Sequence, residues 1–493
     1  MILNLIFGSL ALLSLALTLW QWLVARRFPL HLRVPQPSPL TPQPPVTLLK
    51  PLKGCDAATE DCLRSWFAQQ YAGPMQMLFG VAAAEDPVCG IVRKLVQEFP
   101  GCDAQLVACG PLLGANAKVS KLVELERMAK HDLLVISDAD VRVPPDLLTN
   151  LVASLRAAPL SEPAQPGRAS GVHLDTAANL PLTPALSPSA GERGNLRQPL
   201  AKMDAEGRDV RLASVLPLPR RGGEGRGEGG GRVGQPAVVG TESGGASVPA
   251  SPGFSEPAEN QGSRGRSPSQ RTGLVCCFYR LANPTTLAMQ WEAIAINADF
   301  WSQVLQSRSL QPIDFALGAV MATRRQQLQE VGGFTALADC LADDYQLGNR
   351  IARRGYSIAI SPVVAECWSA PMGWAAVWKH QLRWARTIRV CQPAPYFFSV
   401  LNNATFWPLL WLIVKPAPGV LACALVCLLV RVLTALNLQH RMTRDLTPSA
   451  PGWLVPIKDL LQAAIWLLAF MGNRIEWRGE RMRLHRDGTL VRG

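Results

Sequence analysis

The chain has 493 residues, 48% of them hydrophobic and only 17% charged, with 14 tryptophans and a formal net charge of +12. That length leaves room for more than one folded unit, and a mean hydropathy of +0.11 is apolar for a soluble protein. The positive balance suits an anionic membrane surface; with no nucleic-acid motif beside it, nucleic acid is excluded as the expected partner.

Residues 2–24 are almost continuously apolar and long enough for a bilayer core of about 30 Å. Trp20 and Trp22 stand at its far end as interface anchors, and Arg26 and Arg27 follow. No basic region precedes the stretch, so 1–27 reads as a retained anchor rather than a cleaved signal. The positive-inside bias then places the bulk of the chain in the cytoplasm.

From 45 to 156 short apolar runs alternate with amphipathic helices, the pattern of an α/β domain. Strands are expected at VTLLKPLKG (46–54), MQMLFGVAAAED (75–86), AQLVACG (104–110) and DLLVIS (132–137). Helices are expected at 59–70, with Thr59 as a possible cap, and at KVSKLVELERMA (118–129). Ligands of open α/β sheets gather at the carboxyl ends of strands, which singles out Asp86 after the second run and Asp138 and Asp140 after the fourth.

Asp138 and Asp140, one residue apart, can point one carboxylate at a divalent ion and the other at a ribose or sugar; hard oxygen suits Mg or Mn, which would bridge to substrate phosphates and neutralise a departing diphosphate. The same pair, ahead of Pro144 and Pro145, would also suit a capped turn. Asp86 precedes Pro87 and a helix, so it is either an N-cap or an acceptor for a base or ribose.

Residues 157–271 break the pattern. They are rich in Gly, Pro, Ser and Arg and include RRGGEGRGEGGGR. Such a segment buries too little apolar surface to offset its ordering entropy, so a disordered surface insertion dispensable for function is expected, with a flexible regulatory loop as the alternative. The fold resumes at TGLVCCFYR (272–280), a strand following the helix PDLLTNLVASL. Its adjacent Cys276 and Cys277 read as buried reduced thiols, because the 12 cysteines form no Cys-x-x-Cys pair and no zinc-spaced cluster.

In the second half, 272–392, Asp343 and Asp344 open the helix DYQLGNRIARR. Acidic residues there favour the helix dipole; close to another acidic pair they would also raise a pKa and furnish a general base. In HQLRW, His380, Arg383 and Trp384 share a helical face by i, i+3, i+4 spacing. Arg383 offers a bidentate fork to phosphate and Trp384 an indole to pack on a sugar or nucleotide. With Trp374, Trp378 and Leu382 as an apolar stripe, the helix also fits a position beneath lipid headgroups. Apolar stretches at 397–414, 417–438 and 456–472 follow. Three full crossings would leave the Arg-rich tail, 473–493, outside, against the charge rule. One stretch is therefore re-entrant or interfacial, and Lys458 and Asp459 single out the last; the tail is then basic and cytosolic.

With these residues assembled, the chain resembles the ceramide glucosyltransferase family, membrane-anchored glycosyltransferases of GT-A fold, and within it is similar to the bacterial branch associated with hopanoid biosynthesis. KPLKGCD, AEDP, NAKVSKL, SDADVRVPP, DDYQLGNRIARRG and HQLRWARTIR fit in order, over 1–156 and 272–485. The resemblance implies a GT-A catalytic domain with one amino-terminal and two to three carboxyl-terminal membrane segments, in a multi-pass inner-membrane protein.

By the same resemblance Asp86 contacts the uridine end of the donor, Asp138 and Asp140 form the metal motif, and Asp344, beside Asp343, is the catalytic base. Arg383 and Trp384 match the family's Arg-Trp pair, while His380 departs from its Gln or Arg. Lys50 and Lys53 are placed near the donor. The implied reaction is inverting, metal-dependent transfer from a UDP-sugar to a hydroxyl of a membrane lipid, with N-acetylglucosamine passing to a polyhydroxylated hopanoid. Ceramide glucosylation, a processive polysaccharide synthase and an inactive scaffold of the same fold are the alternatives.

Overall fold

The computed structural model describes residues 1–35, 42–156, 271–444, 450–477, 480–485 and 487–492. The expected insertion, 157–271, lies outside the described residues except at its last position. In chain order the elements begin with α1 (Ile2–Arg27), β1 (Val46–Pro51), α2 (Thr59–Phe67), β2 (Met75–Val81), α3 (Val88–Glu98), β3 (Asp103–Ala108), α4 (Ala117–Met128), β4 (Leu133–Ser137), β5 (Val141–Arg142) and α5 (Leu147–Arg156). Then come β6 (Thr272–Leu281), α6 (Leu287–Ile294), α7 (Trp301–Arg308), β7 (Val320–Arg324), α8 (Arg325–Glu330), α9 (Asp343–Arg353), β8 (Ser357–Cys367) and α10 (Trp374–Cys391). A π-helical turn, Ala295–Phe300, joins α6 to α7.

The eight strands form one mixed sheet in the order β3-β2-β1-β4-β7-β6-β8-β5. β1 pairs in parallel with β2 and β4, whereas β7 runs antiparallel between β4 and β6. Every residue of β1 and β4 is buried, as continuous apolar runs covered on both faces must be. β6 follows α5 and carries Cys276 and Cys277 into the core. This is the α/β, GT-A architecture expected. Helix α2 ends at Phe67, and Thr59 is no cap: its hydroxyl binds Asp56 instead, accepting from the Asp56 peptide N–H and donating to its carboxylate, both at 2.8 Å.

Beyond α10 lie α11 (Pro393–Phe398), α12 (Phe406–Val414), α13 (Pro418–Thr443) and α14 (Leu454–Ala469). Among the described residues, α1 and α13 are each long and apolar enough to cross a membrane, and 393–402 with α12 make a third span if the 60° bend between them is a break in one crossing. Side-chain contacts order them. Trp411 of α12 donates to Asn4 at 2.8 Å, at the start of α1. Trp22 donates to Asn437 at 2.9 Å, and Arg441 reaches the carbonyls of Arg26 and Phe28 at 3.1 Å, so α13 ends where α1 ends. Helix α14, 16 residues long, starts beside Gln439 of α13 and returns to Tyr396 of α11 through Trp466. It therefore packs between the carboxyl end of α13 and α11.

That helix carries a buried ion quartet. Arg431 of α13 reaches both carboxylates, Asp459 at 2.8 Å and Asp299 of the π turn at 2.9 Å, and Lys458 binds the same two. Thr405 donates to Asp459 at 2.7 Å. Four charges can stay buried in an apolar bundle only because each is paired.

The tail is not a loose basic segment. It folds as β9 (Arg474–Trp477), β10 (Glu480–Leu484) and β11 (Leu490–Arg492), an antiparallel sheet. Ile475, Met482, Leu484 and Leu490 turn inward onto Leu341, which leaves the arginines between them outside. Leu341 donates to the Gly488 carbonyl at 3.3 Å and Leu490 to that of Asp339 at 2.8 Å, so the tail holds the loop entering α9.

Replacing Arg431 by Met keeps the volume but leaves the two buried carboxylates to share Lys458. A loss of about 3–5 kcal/mol is expected from breaking such a pair, read by chemical unfolding in detergent; a loss below about 1 kcal/mol, the range of an exposed pair, would show the quartet to be solvated.

Candidate active site

The carboxyl ends of β1 and β4 build the first part of the site. Asp138 follows β4 and is 1% exposed. Lys50, at the end of β1, is fully buried and donates to the Asp138 carbonyl at 2.5 Å and the Ser137 hydroxyl at 3.3 Å. Burial pushes the Lys50 ammonium down to about 8, against the charges of Asp140 and Asp138. Lys50 thus fixes the backbone from which Asp138 and Asp140 project. Lys53 is exposed. Next to it, Gly54 takes φ +66° and donates its N–H to both oxygens of Asp86, at 2.9 and 3.0 Å. Asp86 also accepts from Val88 N at 3.1 Å and so staples the first loop to the second, while the cap position of α3 is Pro87.

Helix α4 delivers the central cation. Asn116 caps it, its side-chain oxygen accepting from the N–H groups of Lys118 and Val119 at 3.0 and 3.2 Å. Its amide donates to the Cys340 carbonyl at 2.8 Å and to Asp343 at 3.4 Å. Lys118, 3% exposed, then lies 2.8 Å from Asp138 and 3.1 Å from Asp343. Burial opposes its charge, yet Asp138, Asp343 and Asp344 together hold its pKa above the ordinary lysine value. One turn on, Lys121 donates to the Leu52 carbonyl at 2.7 Å.

Asp343 and Asp344 open α9 as the sequence indicates, and Lys118 brings Asp343 to Asp138. Asp344 is 1% exposed. Its Oδ1 accepts from Tyr345 N at 2.8 Å, while Oδ2 is buried with no hydrogen-bond partner among the described residues. Burial, and then the Asp343 charge, push its pKa well above the ordinary carboxylate value despite Lys118. Gly318, ahead of β7, makes the room: a Cβ there would lie 2.5 Å from Asp344 Oδ2.

Helix α10 reaches this cluster at its end. Tyr345 donates to the Cys391 carbonyl at 3.1 Å and accepts from Gln392 at 2.7 Å. The Cys391 thiol is pushed up to about 12 by burial and then by the Asp344 charge. Arg383, buried, stands two turns earlier, about 12 Å along the helix at 1.5 Å per residue. His380 Nδ1 lies 2.5 Å from Glu292 of α6, which is wholly buried and also accepts from Gln381 at 3.1 Å. The His380 and Trp384 rings are 4.2 Å apart between centroids. His380 therefore anchors α10 on α6.

No group of three potential metal ligands gathers among the described residues. A divalent ion would take one or two carboxylates here, Asp138 and Asp140, and complete its shell with phosphate oxygens and water, which is how Mg²⁺ is usually held. Lys118, Asn116, Gly318 and Glu292 are the site residues that the sequence reading missed. The first two lie inside NAKVSKL, where the Asn before an amphipathic helix was a readable cap signal.

The sequence pattern of the family described as Glycosyl transferase family 21 matches residues 6–162 and 266–490. The ceramide glucosyltransferase of Candida albicans is 34% identical over 121 residues, 22% of this chain and 22% of that protein. Ceramide glucosyltransferase 1 of Caenorhabditis elegans is 30% identical over 126 residues, 26% of each. The chain thus matches no more than about a quarter of the length of these curated relatives. Among solved structures, the mannosyltransferase PcManGT of Pyrobaculum calidifontis is 16% identical with a TM-score of 0.42, over 94% of this chain and 99% of that one. TarS 1–349 of S. aureus is 7% identical with a TM-score of 0.31, over 92% and 99%. Both likenesses are too low to bear on chemistry.

Exchanging Lys118 for Met removes the cation that opposes the raised pKa of Asp344. That folded pKa then rises further above the unfolded value of about 3.9, so the variant keeps its stability at acid pH and loses it as pH rises. Melting temperatures from pH 5 to 8 are expected to fall more steeply than in the wild type, and parallel curves would refute the clamp.

Proposed function

The chain belongs to glycosyl transferase family 21, and from that premise we propose that it moves a sugar from a UDP-sugar to a hydroxyl of a membrane lipid, with inversion and with a divalent metal. The observation that carries this reading is Asp344 Oδ2, buried and without a hydrogen-bond partner among the described residues, in a carboxyl group of raised pKa on a helix tied through Lys118 to the end of β4.

In this reading the donor lies at the carboxyl ends of β1, β2 and β4, where Asp86 faces the uridine and Asp138 with Asp140 would hold the ion. The ion, when bound, neutralises charge developing on the diphosphate. Lys50 orients the Asp138 loop, and Lys118 pairs with Asp138 and Asp343 while Asp344 takes the raised pKa. Asp344 accepts the proton of the attacking hydroxyl, and the Arg383 guanidinium takes the diphosphate end. Positioning and fixed charge supply most of such a barrier reduction. A polyhydroxylated hopanoid is the proposed acceptor and N-acetylglucosamine the proposed sugar; the catalytic domain faces the cytoplasm.

The test is incubation of the purified protein with Mn²⁺, a panel of UDP-sugars, and either ceramide or a polyhydroxylated hopanoid, with mass spectrometry of the lipid fraction. Asp344→Asn is expected to lower kcat by about 10²–10⁴-fold, the usual worth of a general base, and to leave UDP-sugar binding intact. Near-normal turnover in that variant would remove Asp344 from the role.

The same base gives the reaction its pH dependence. Asp344 works deprotonated and its pKa lies well above 3.8, so kcat rises with pH through a midpoint above the ordinary carboxylate range. A profile flat down to pH 4 would contradict this.

A further inference from the structure

A second recess lies between the catalytic helices and the membrane helices. It is a cavity of about 150 Å³ whose wall includes Trp384 and Ile388 of α10, Gln21 of α1, and Gln462 and Ala463 of α14. We propose that it receives the uncharged, hydroxyl-bearing head of the acceptor lipid; the proposal rests on the lipid glycosyltransferase reading above.

Position is the first argument. Ile388 is one turn from Cys391, whose carbonyl holds Tyr345 beside Asp344, so α10 lines the recess and reaches the candidate base. The opposite wall belongs to α1 and α13, which are apolar enough to cross a membrane. A lipid entering between these helices would meet Gln21 and Arg431 here.

Uncommitted polar atoms are the second argument. Asn402 Oδ1 and the Trp384 indole N–H are buried without a hydrogen-bond partner among the described residues, and both residues line the cavity. Buried polar atoms left unpaired are costly, and hydroxyl groups of a ligand would relieve that cost. An acceptor and a donor together suit hydroxyls, which serve as either.

Charge is the third. Asp299, Arg431, Lys458 and Asp459 form the floor, and their two positive and two negative charges are mutually paired. An anionic head would have to pull Arg431 or Lys458 off its carboxylates, whereas a neutral polyol or hydroxy-amide leaves the quartet intact. Volume agrees: at about 30 Å³ per water the cavity holds roughly five water volumes, which suits a short polyol head and leaves the tail among the helices.

The test is equilibrium binding of two tritiated probes, N-hexanoylsphingosine and bacteriohopanetetrol, to the full chain in phosphatidylcholine nanodiscs. Wild type and Asp344→Asn are expected to bind at least one probe equally well, and Ala463→Leu, which fills the cavity, at least tenfold more weakly with UDP-sugar binding unchanged. If Ala463→Leu fails to bind UDP-sugar as well, Gln462→Leu decides by the same criterion. Binding unchanged in the variant that keeps its UDP-sugar site, no binding of either probe by the wild type, or displacement of the probe by phosphatidic acid would each overturn the proposal. Probe binding without any sugar transfer would overturn the glycosyltransferase reading and leave this one standing.

Discussion

One buried lysine holds the two halves of the catalytic domain in register. Lys118 stands between Asp138, which belongs to the parallel half of the sheet, and Asp343, which arrives after the antiparallel strand β7. Without a cation at that point, two carboxylates would face each other at low dielectric, and like charges so placed repel. With it, α4, the end of β4 and the start of α9 form one unit, and Asp344 is carried to the same place. Asn116 makes the arrangement possible by capping α4 and grasping the loop at Cys340.

The membrane part follows the same logic at a different depth. Arg431 and Lys458 tie Asp299, in the π turn of the catalytic part, to Asp459 in α14. The π turn offers an irregular backbone of the kind often found at functional positions. The tail sheet adds a third tie by holding the residues just before Asp343. Catalytic sheet, membrane helices and tail thus meet around α9 and α10, which join the proposed donor and acceptor sides.

Much of this was legible in the chain, for physical reasons. DLLVIS is a continuous apolar run, which only a strand buried on both faces explains, so Asp138 could be placed at its carboxyl end. Asp343 and Asp344 precede an amphipathic repeat and so mark a helix start, and the 2–24 run announced a helix long and apolar enough to cross a membrane. Lys118 was not legible as a clamp, because a lysine in KVSKLVELERMA reads as a solvated helix face; its partner Asp343 is 225 residues away in sequence. Gly318 gives no signal at all, since its role is the space it leaves for Asp344. In the tail, strands of three to five residues with arginines between the apolar positions are too short for periodicity to reveal a sheet. His380 was chosen by its place in a motif, and only the fold supplied Glu292 as its partner.

The claim on which the account turns is a single displacement at the anomeric carbon, with Asp344 deprotonating a lipid hydroxyl. The anomeric configuration of the glycolipid formed from an α-linked UDP-sugar, read by proton NMR of the purified product, tests it most directly. A β-linked product is the outcome this site predicts. An α-linked product would require a covalent or front-face route that one buried base beside Asp138 does not provide, and would contradict the account.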